Sequence, residues 1–295
     1  MNMHFNRFAN RAAAKQGLVA LTNDDLLRAA PSIFATAPHE SRSSRFTPIP
    51  TIAVIDGLRK EGFVPFSAKQ SRSKDETRMG FTKHMVRFRH EGQTSPLARK
   101  VGDTKAEVVL VNANDGTSSY QLSAGLFRLV CLNGMVVSDG DFGSIRVGHT
   151  GDILSKVIEG TYSVMDQTSR ALEVAADWKG ITLSRAEQML FAQEALMLRF
   201  DEGTPVKAQQ MLSTRRGEDA HADLWTTFNR VQENALRGGL VAETPSHYIQ
   251  TPEGQRFVPA RRAHTREVKG IGQDVKLNKA LWALAEGMAK LKGAA

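Results

Sequence analysis

The hydrophobic pattern of this chain changes period once, near Thr150, and that change restricts the fold more than any other feature of the sequence. Upstream, apolar residues alternate with polar ones or gather in β-rich runs. The run Met85-Val86-Arg87-Phe88-Arg89 puts Met85, Arg87 and Arg89 on one side of a strand and Val86, Phe88 and His90 on the other. Downstream, Ile153, Val157, Ile158, Val164, Met165 and Leu172 form a helical stripe from Asp152 to Trp178. A strand-rich half followed by a helix-rich half predicts an α+β protein. An antiparallel sheet with flanking helices is expected in the N-terminal half, and a mostly α-helical C-terminal half after it. Three segments follow: an extended opening stretch 1–50, an α+β basic sheet domain 51–150, and a helical domain 151–295.

Local signals place the elements. Thr22 or Asn23 caps a short helix to Arg28, and Pro31, Pro38, Pro48 and Pro50 break anything longer. Thr51–Glu61 reads as a helix capped by Thr51 and stopped by Gly62. Strands are expected at Phe63–Gln70, Met79–His90 and Ala106–Asn114, and Asp115-Gly116 signals a hairpin into Thr117–Leu122. Ser123–Leu132 then reads as a helix stopped by Asn133-Gly134, followed by a hairpin of Met135–Ser138 with Ser144–Val147. In the second half Ser184-Arg185-Ala186-Glu187 is a capping box opening a helix to Phe200. Thr204-Pro205 opens a helix Val206–Ser213, Asp223–Leu236 is ended by Gly238-Gly239, and Leu277–Leu291 is helical. Residues 244–260 are polar and hold one short strand pair around Tyr248 and Phe257.

Composition narrows the class. Hydrophobic residues at 41% and charged residues at 24% are ordinary for a globular protein, and no apolar run approaches bilayer length. Met1–Ala14 lacks the apolar core of a secretory signal. The single cysteine, Cys131, excludes an intrachain disulfide and sits among Leu129, Val130 and Leu132 as a packing thiol would. A cytoplasmic protein that does not engage membranes is expected.

The net charge of +8 is concentrated: Arg42–Lys105 carries fourteen Lys/Arg against six Asp/Glu, and the remaining segments nearly cancel. A localised basic excess is the electrostatic footprint of a polyanion binder. Lys69, Arg72, Lys74, Arg78, Lys83, Arg87, Arg89, Arg99 and Lys100 are the candidate phosphate contacts, with Phe66, Phe81 and Phe88 interleaved either as base-stacking faces or as core. A second basic run, Arg256, Arg261, Arg262, Arg266, Lys269, Lys276 and Lys279, is either another polyanion contact, a loop ordered on binding, or a solvated loop partly paired with nearby acids. Gly148-His149-Thr150-Gly151 before Asp152 is either an anion or substrate turn at a helix start or a plain capped turn. Gln232, Glu233 and Asn234 are either a site wall or a helix–helix contact. His84, His90, His149, His221, His247 and His264 show no metal-ligand spacing, and no cofactor motif is present.

The blocks Leu126–Gly134, Val147–Gly151, Trp225–Asn234 and Val275–Trp282 resemble those of a family of uncharacterised proteins carried on plasmids, phages and prophage islands, the "phage/plasmid-like" proteins. The resemblance covers about Arg45 to Ala285. It implies a mobile-DNA setting and brings no catalytic residues with it. In outline the first half is also similar to the core of phage single-strand annealing proteins, by fold-level analogy. The expectation is therefore a noncatalytic DNA-binding protein that prefers single strands and acts in recombination, replication or protection of mobile DNA, with no cofactor, as a homo-oligomer or alone. The alternatives are a factor that binds a host protein to block defence or regulation, and an enzyme using Gly148–Asp152 with Gln232–Asn234.

Overall fold

Alternation in the first half resolves into a six-stranded antiparallel sheet. The computed structural model describes residues 17–41, 49–91, 104–129, 133–137, 144–149 and 151–293. The strands are β1 (Phe63–Gln70), β2 (His84–His90), β3 (Thr104–Asn112), β4 (Tyr120–Arg128), β5 (Asn133–Val136) and β6 (Ser144–Val147). Their order is β1-β2-β3-β4, with β5 on the Gly125–Arg128 end of β4 and β6 on its Tyr120–Ser123 end. Pro65 sits in β1, an edge strand, where a missing donor is tolerated. A register irregularity beside it, between Pro65 and Ser67, marks a bulge at Phe66.

The chain divides into two compact units, Met1–Val174 with Gly270–Val275, and Ala175–Lys269 with Lys276–Ala295. In the first unit, one sheet face (Val86, Phe88, Val108, Leu110, Leu122, Leu126) is buried. The helices α1 (Asn23–Ala29), α2 (Thr51–Lys60) and the first part of α3 (Ile153–Gly180) supply Leu26, Val54, Ile55, Leu58, Ile153 and Val157 to the same interior. Gly160 lets α3 approach the sheet: a Cβ there would stand 2.9 Å from Leu122. Thr22 caps α1 through a full capping box. Thr51 does not cap α2 as expected. Pro50 holds that position, and Thr51 is fully buried, its Oγ1 hydrogen-bonded to His84 Nε2 (2.9 Å) and accepting from Asn112 Nδ2 (3.1 Å). His84 Nδ1 pairs with Ser32 Oγ at 2.8 Å, so a fully buried histidine is satisfied at both ring nitrogens by hydroxyls.

Ser123–Arg128 of the expected helix Ser123–Leu132 is instead the second half of β4, and residues 130–132 lie outside the described residues. Both faces of β4 are buried, so its residues form an unbroken apolar run that mimics a helix pattern. Cys131 lies outside the described residues.

The second unit is built around α5 (Leu224–Arg237), capped by Asp223 and buried at every residue from Leu224 to Leu236. α4 (Arg185–Arg199) opens on the capping box at Ser184. Trp178, Trp225, Phe228 and Trp282, the last from α6 (Ile271–Leu291), form an aromatic core with Trp178 and Trp282 centroids 4.6 Å apart. The expected helix Val206–Ser213 shrinks to a 3-10 turn, Ala208–Leu212, because Val206 bridges to Ala242 instead. Two ribbons complete the unit: β7 (Val241–Thr244) pairs with β10 (Arg261–His264), and β8 (His247–Thr251) with β9 (Gly254–Val258). No described helix is long and apolar enough to cross a membrane.

Candidate nucleic-acid interface

The two arginines that most suggested a phosphate track are inside the protein. Arg87 and Arg89 leave β2 on the face shared, by register, with Glu107 and Val109 of β3. Glu107 Oε1 accepts from Arg89 Nε (3.0 Å) and Nη2 (2.8 Å), and its Oε2 accepts from Arg87 Nη1 (3.2 Å). The side chains are only 8%, 7% and 1% exposed for Arg87, Arg89 and Glu107. Arg87 Nη1 also donates to the Met135 carbonyl at 3.0 Å, and Gly134 leaves room for its guanidinium: a Cβ there would fall 2.6 Å from Arg87 Cζ. The bulge at Phe66 turns that ring under the Arg89 guanidinium (4.3 Å to the centroid), and Phe127 lies on it at 4.5 Å. Desolvated and sharing one carboxylate, the two guanidinium groups hold the sheet and are withdrawn from any phosphate. Strand alternation gave their common face correctly but carried no information on what covers it. Gly17 packs on Phe127, and Ile271 with Val275 from the first turn of α6 joins Met85, Val109, Val111 and Val136 on the same face.

Four of the other candidate cations, Arg72, Lys74, Arg78 and Lys83, fall on the connection from β1 to β2, residues 71–83. Ser71 N donates to Lys83 O (2.7 Å), and Thr82 Oγ1 donates to Ser71 O and accepts from Gln70, so the two ends of the connection are stapled. Arg72 and Lys74 are exposed and Lys83 half-buried, and none has a carboxylate partner among the described residues. Arg78 lies 3.4 Å from Asp75, both largely in solvent, a pairing of little energetic weight. Lys69 is held by Asp274 of α6. Phe88 is core and Phe81 packs edge-on against His39 at 5.5 Å, so neither offers a stacking face. Arg99 and Lys100 lie outside the described residues.

The glycine turn is a structural joint. His149 packs inward against Tyr120 (centroids 5.2 Å), its Nε2–H donating to Ser118 O at 3.2 Å, and burial lowers its pKa. Asp152 accepts from Ser155 N at 3.1 Å, and hydrogen bonds from the Ser155 side chain and backbone hold its carboxyl below the usual range. A carboxylate already occupies the positive helix end that an anion would seek. Gly148 and Gly151 are exposed, and Thr150 lies outside the described residues. The Gln232–Asn234 stretch is likewise interior. Gln232 Nε2 donates to Asn278 Oδ1 (2.8 Å), Glu233 pairs with Arg216 and Arg237, and Asn234 Nδ2 donates to the carbonyls of Met211 and Ser213. These groups tie α5 to its neighbours, as a helix–helix contact requires.

Three residues of the second basic run lie on the ribbons, while Arg266 and Lys269 follow β10 and Lys276 and Lys279 belong to α6. Arg256 of β9 and Arg261 and Arg262 of β10 are exposed and make no ion pair among the described residues, although Glu243 faces Arg262 across the ladder. The sequence placed a strand pair at Tyr248 and Phe257, and these two residues do face each other across β8 and β9. What it missed is that both rings point to solvent. The signal was present: Gln250 and Gln255 alternate in phase with them.

Fold and surfaces together define an α+β protein whose cations without a carboxylate partner among the described residues include those on the β1–β2 loop and on the ribbons. The chain belongs to the family described as "Domain of unknown function (DUF932)", which matches residues 38–282. It is similar to the UPF0380 protein YafZ of Escherichia coli (strain K12), 45% identical over 269 residues that make up 91% of each chain. It is equally similar to the UPF0380 protein YfjQ of the same organism, 45% identical over 267 residues, 90% of each chain. No solved structure matches.

Proposed function

We propose that this protein binds nucleic acid without catalysis, preferring single-stranded DNA, and acts in the recombination, replication or protection of mobile DNA. The mobile-DNA setting rests on the resemblance of the four sequence blocks to plasmid- and phage-borne proteins. The binding reading is carried by one observation: Arg72, Lys74 and Lys83 stand on a single stapled loop, at least partly open to solvent, with no carboxylate partner among the described residues. Each cation on a phosphate releases condensed counterions, so such a loop gives affinity that falls with salt. His149 Nε2, Gln232 Nε2 and Asn234 Nδ2 donate to groups inside the protein, which favours the binding reading over the enzymatic alternative.

The test is fluorescence anisotropy with a labelled single strand across a salt series. For Arg72→Ala/Lys74→Ala/Lys83→Ala the slope of log affinity against log salt should become shallower by about 2, at roughly 0.7 for each lost single-strand phosphate contact. An unchanged slope, or a wild-type protein that binds no oligonucleotide, refutes the reading.

A further inference from the structure

The β8–β9 hairpin carries its largest apolar side chains on the wet side. Register pairs Tyr248 with Phe257 and Gln250 with Gln255, so these four share one face, and His247, Ile249, Thr251, Arg256 and Val258 share the other. The aliphatic face is the one partly covered, with Ile249, Thr251 and Val258 half-buried. Tyr248 is 67% exposed and Phe257 53%, their rings 5.3 Å apart at 59°. An ordinary amphipathic hairpin would turn those rings inward, where their burial stabilises the fold. Among the described residues, each of these strands packs chiefly on the other.

The hairpin and the segment that follows it are richer in basic than in acidic residues. Arg256, Arg261, Arg262, Arg266 and Lys269 are all exposed, and Glu253 and Glu267 are the only acids from residue 245 to 269. Resting on the nucleic-acid reading above, we infer that this hairpin is a stacking platform for unpaired bases. Tyr248 and Phe257 supply π-faces, Gln250 and Gln255 supply amide donors and acceptors for base edges, and Arg261 and Arg262 of the exposed β10 strand take the phosphates, while Arg256 points to the opposite face of the hairpin. The π-face of a base is open to such contact only when the base is unstacked, so the platform selects single strands over duplex. Two amides beside the rings fit base edges and not hydrocarbon, which separates this face from a membrane anchor.

The loop and the platform leave different signatures. Stacking is insensitive to salt, whereas phosphate contacts set the salt slope. Tyr248→Val/Phe257→Val keeps strand-favouring β-branched residues while deleting both π-faces. It should weaken single-strand binding about tenfold or more at every salt concentration and leave the slope unchanged. Photocrosslinking of the wild-type chain to an oligonucleotide carrying 5-iodouracil should mark the peptide holding Tyr248 or Phe257. Wild-type affinity in the double variant, crosslinks confined to other peptides, tighter binding of the matched duplex, or capture by anionic vesicles in place of the oligonucleotide each overturns the platform. Loss of the salt slope in the loop variant with unaltered binding in the Val variant retires the platform alone. A wild-type chain that binds no strand at all retires both.

Discussion

Replacing Glu107 by glutamine tests the buried charge cluster with nearly unchanged shape. Its carboxylate is 1% exposed and is the only one paired with Arg87 and Arg89 among the described residues. Without its charge, Arg87 keeps the Met135 carbonyl and Arg89 keeps the faces of Phe66 and Phe127, all neutral partners. The new amide also turns a donor toward groups that can only donate. Removing one member of a buried ion pair costs about 3–5 kcal/mol, because the stranded charge stays desolvated. The aromatic faces act in both proteins and cancel in the difference. Glu107→Gln is therefore expected to lose about 4 kcal/mol, a large part of the roughly 5–15 kcal/mol that holds a domain. Urea unfolding followed by far-ultraviolet circular dichroism measures it, read from the shift in midpoint at constant slope. The apolar replacement Arg87→Met/Arg89→Met/Glu107→Leu should recover most of the loss. A glutamine variant within about 1 kcal/mol of wild type would mean that the guanidinium groups reach water, and the account of this face would be wrong.

Burial pushes the His84 pKa down to about 4 from its usual 6.5. The unfolded chain takes up that proton first as pH falls, so the stability is complete above about pH 6.5 and is lost toward pH 4, by up to roughly 3 kcal/mol. Thermal melts of His84→Asn should depend less on pH across that window than wild type, and parallel curves would dismiss the assignment. Gly238 ends α5 at φ +66°, where an added Cβ would stand 2.7 Å from the backbone of Thr265 and Arg266; Gly239, at φ +80°, has open space instead. Gly238→Ala should cost more than about 2 kcal/mol in urea unfolding and Gly239→Ala only about 1, and equal losses would count against the close approach.

Elements with a local cause were legible in the sequence. Ser184 opens a capping box as read, Thr22 is one of the two N-caps expected for α1, Asp223 opens α5, Gly238 closes it, and Tyr248 pairs with Phe257. Elements whose cause is distant in sequence were not. Ser123–Leu132 has an N-cap residue and dense apolar content, but β4 is covered on both faces, and Gly125 lies so close to β3 that a Cβ would meet Val109 at 2.6 Å. Arg87 and Arg89 showed their common face by alternation, and only Gly17, Ile271 and Val275 reveal that the face is closed. Thr51 looked like a cap because threonine before a helical stripe usually is one, and the buried His84 supplied a competing partner.

The three tryptophans of the chain, Trp178, Trp225 and Trp282, all belong to the second compact unit and touch one another or Phe228. Their emission is thus a private reporter: it follows the helical unit and is blind to the sheet, whose loss appears in the dichroism of strands. Recording both signals along one denaturation curve will show, by the coincidence or separation of midpoints, whether this chain melts in a single cooperative step or in two.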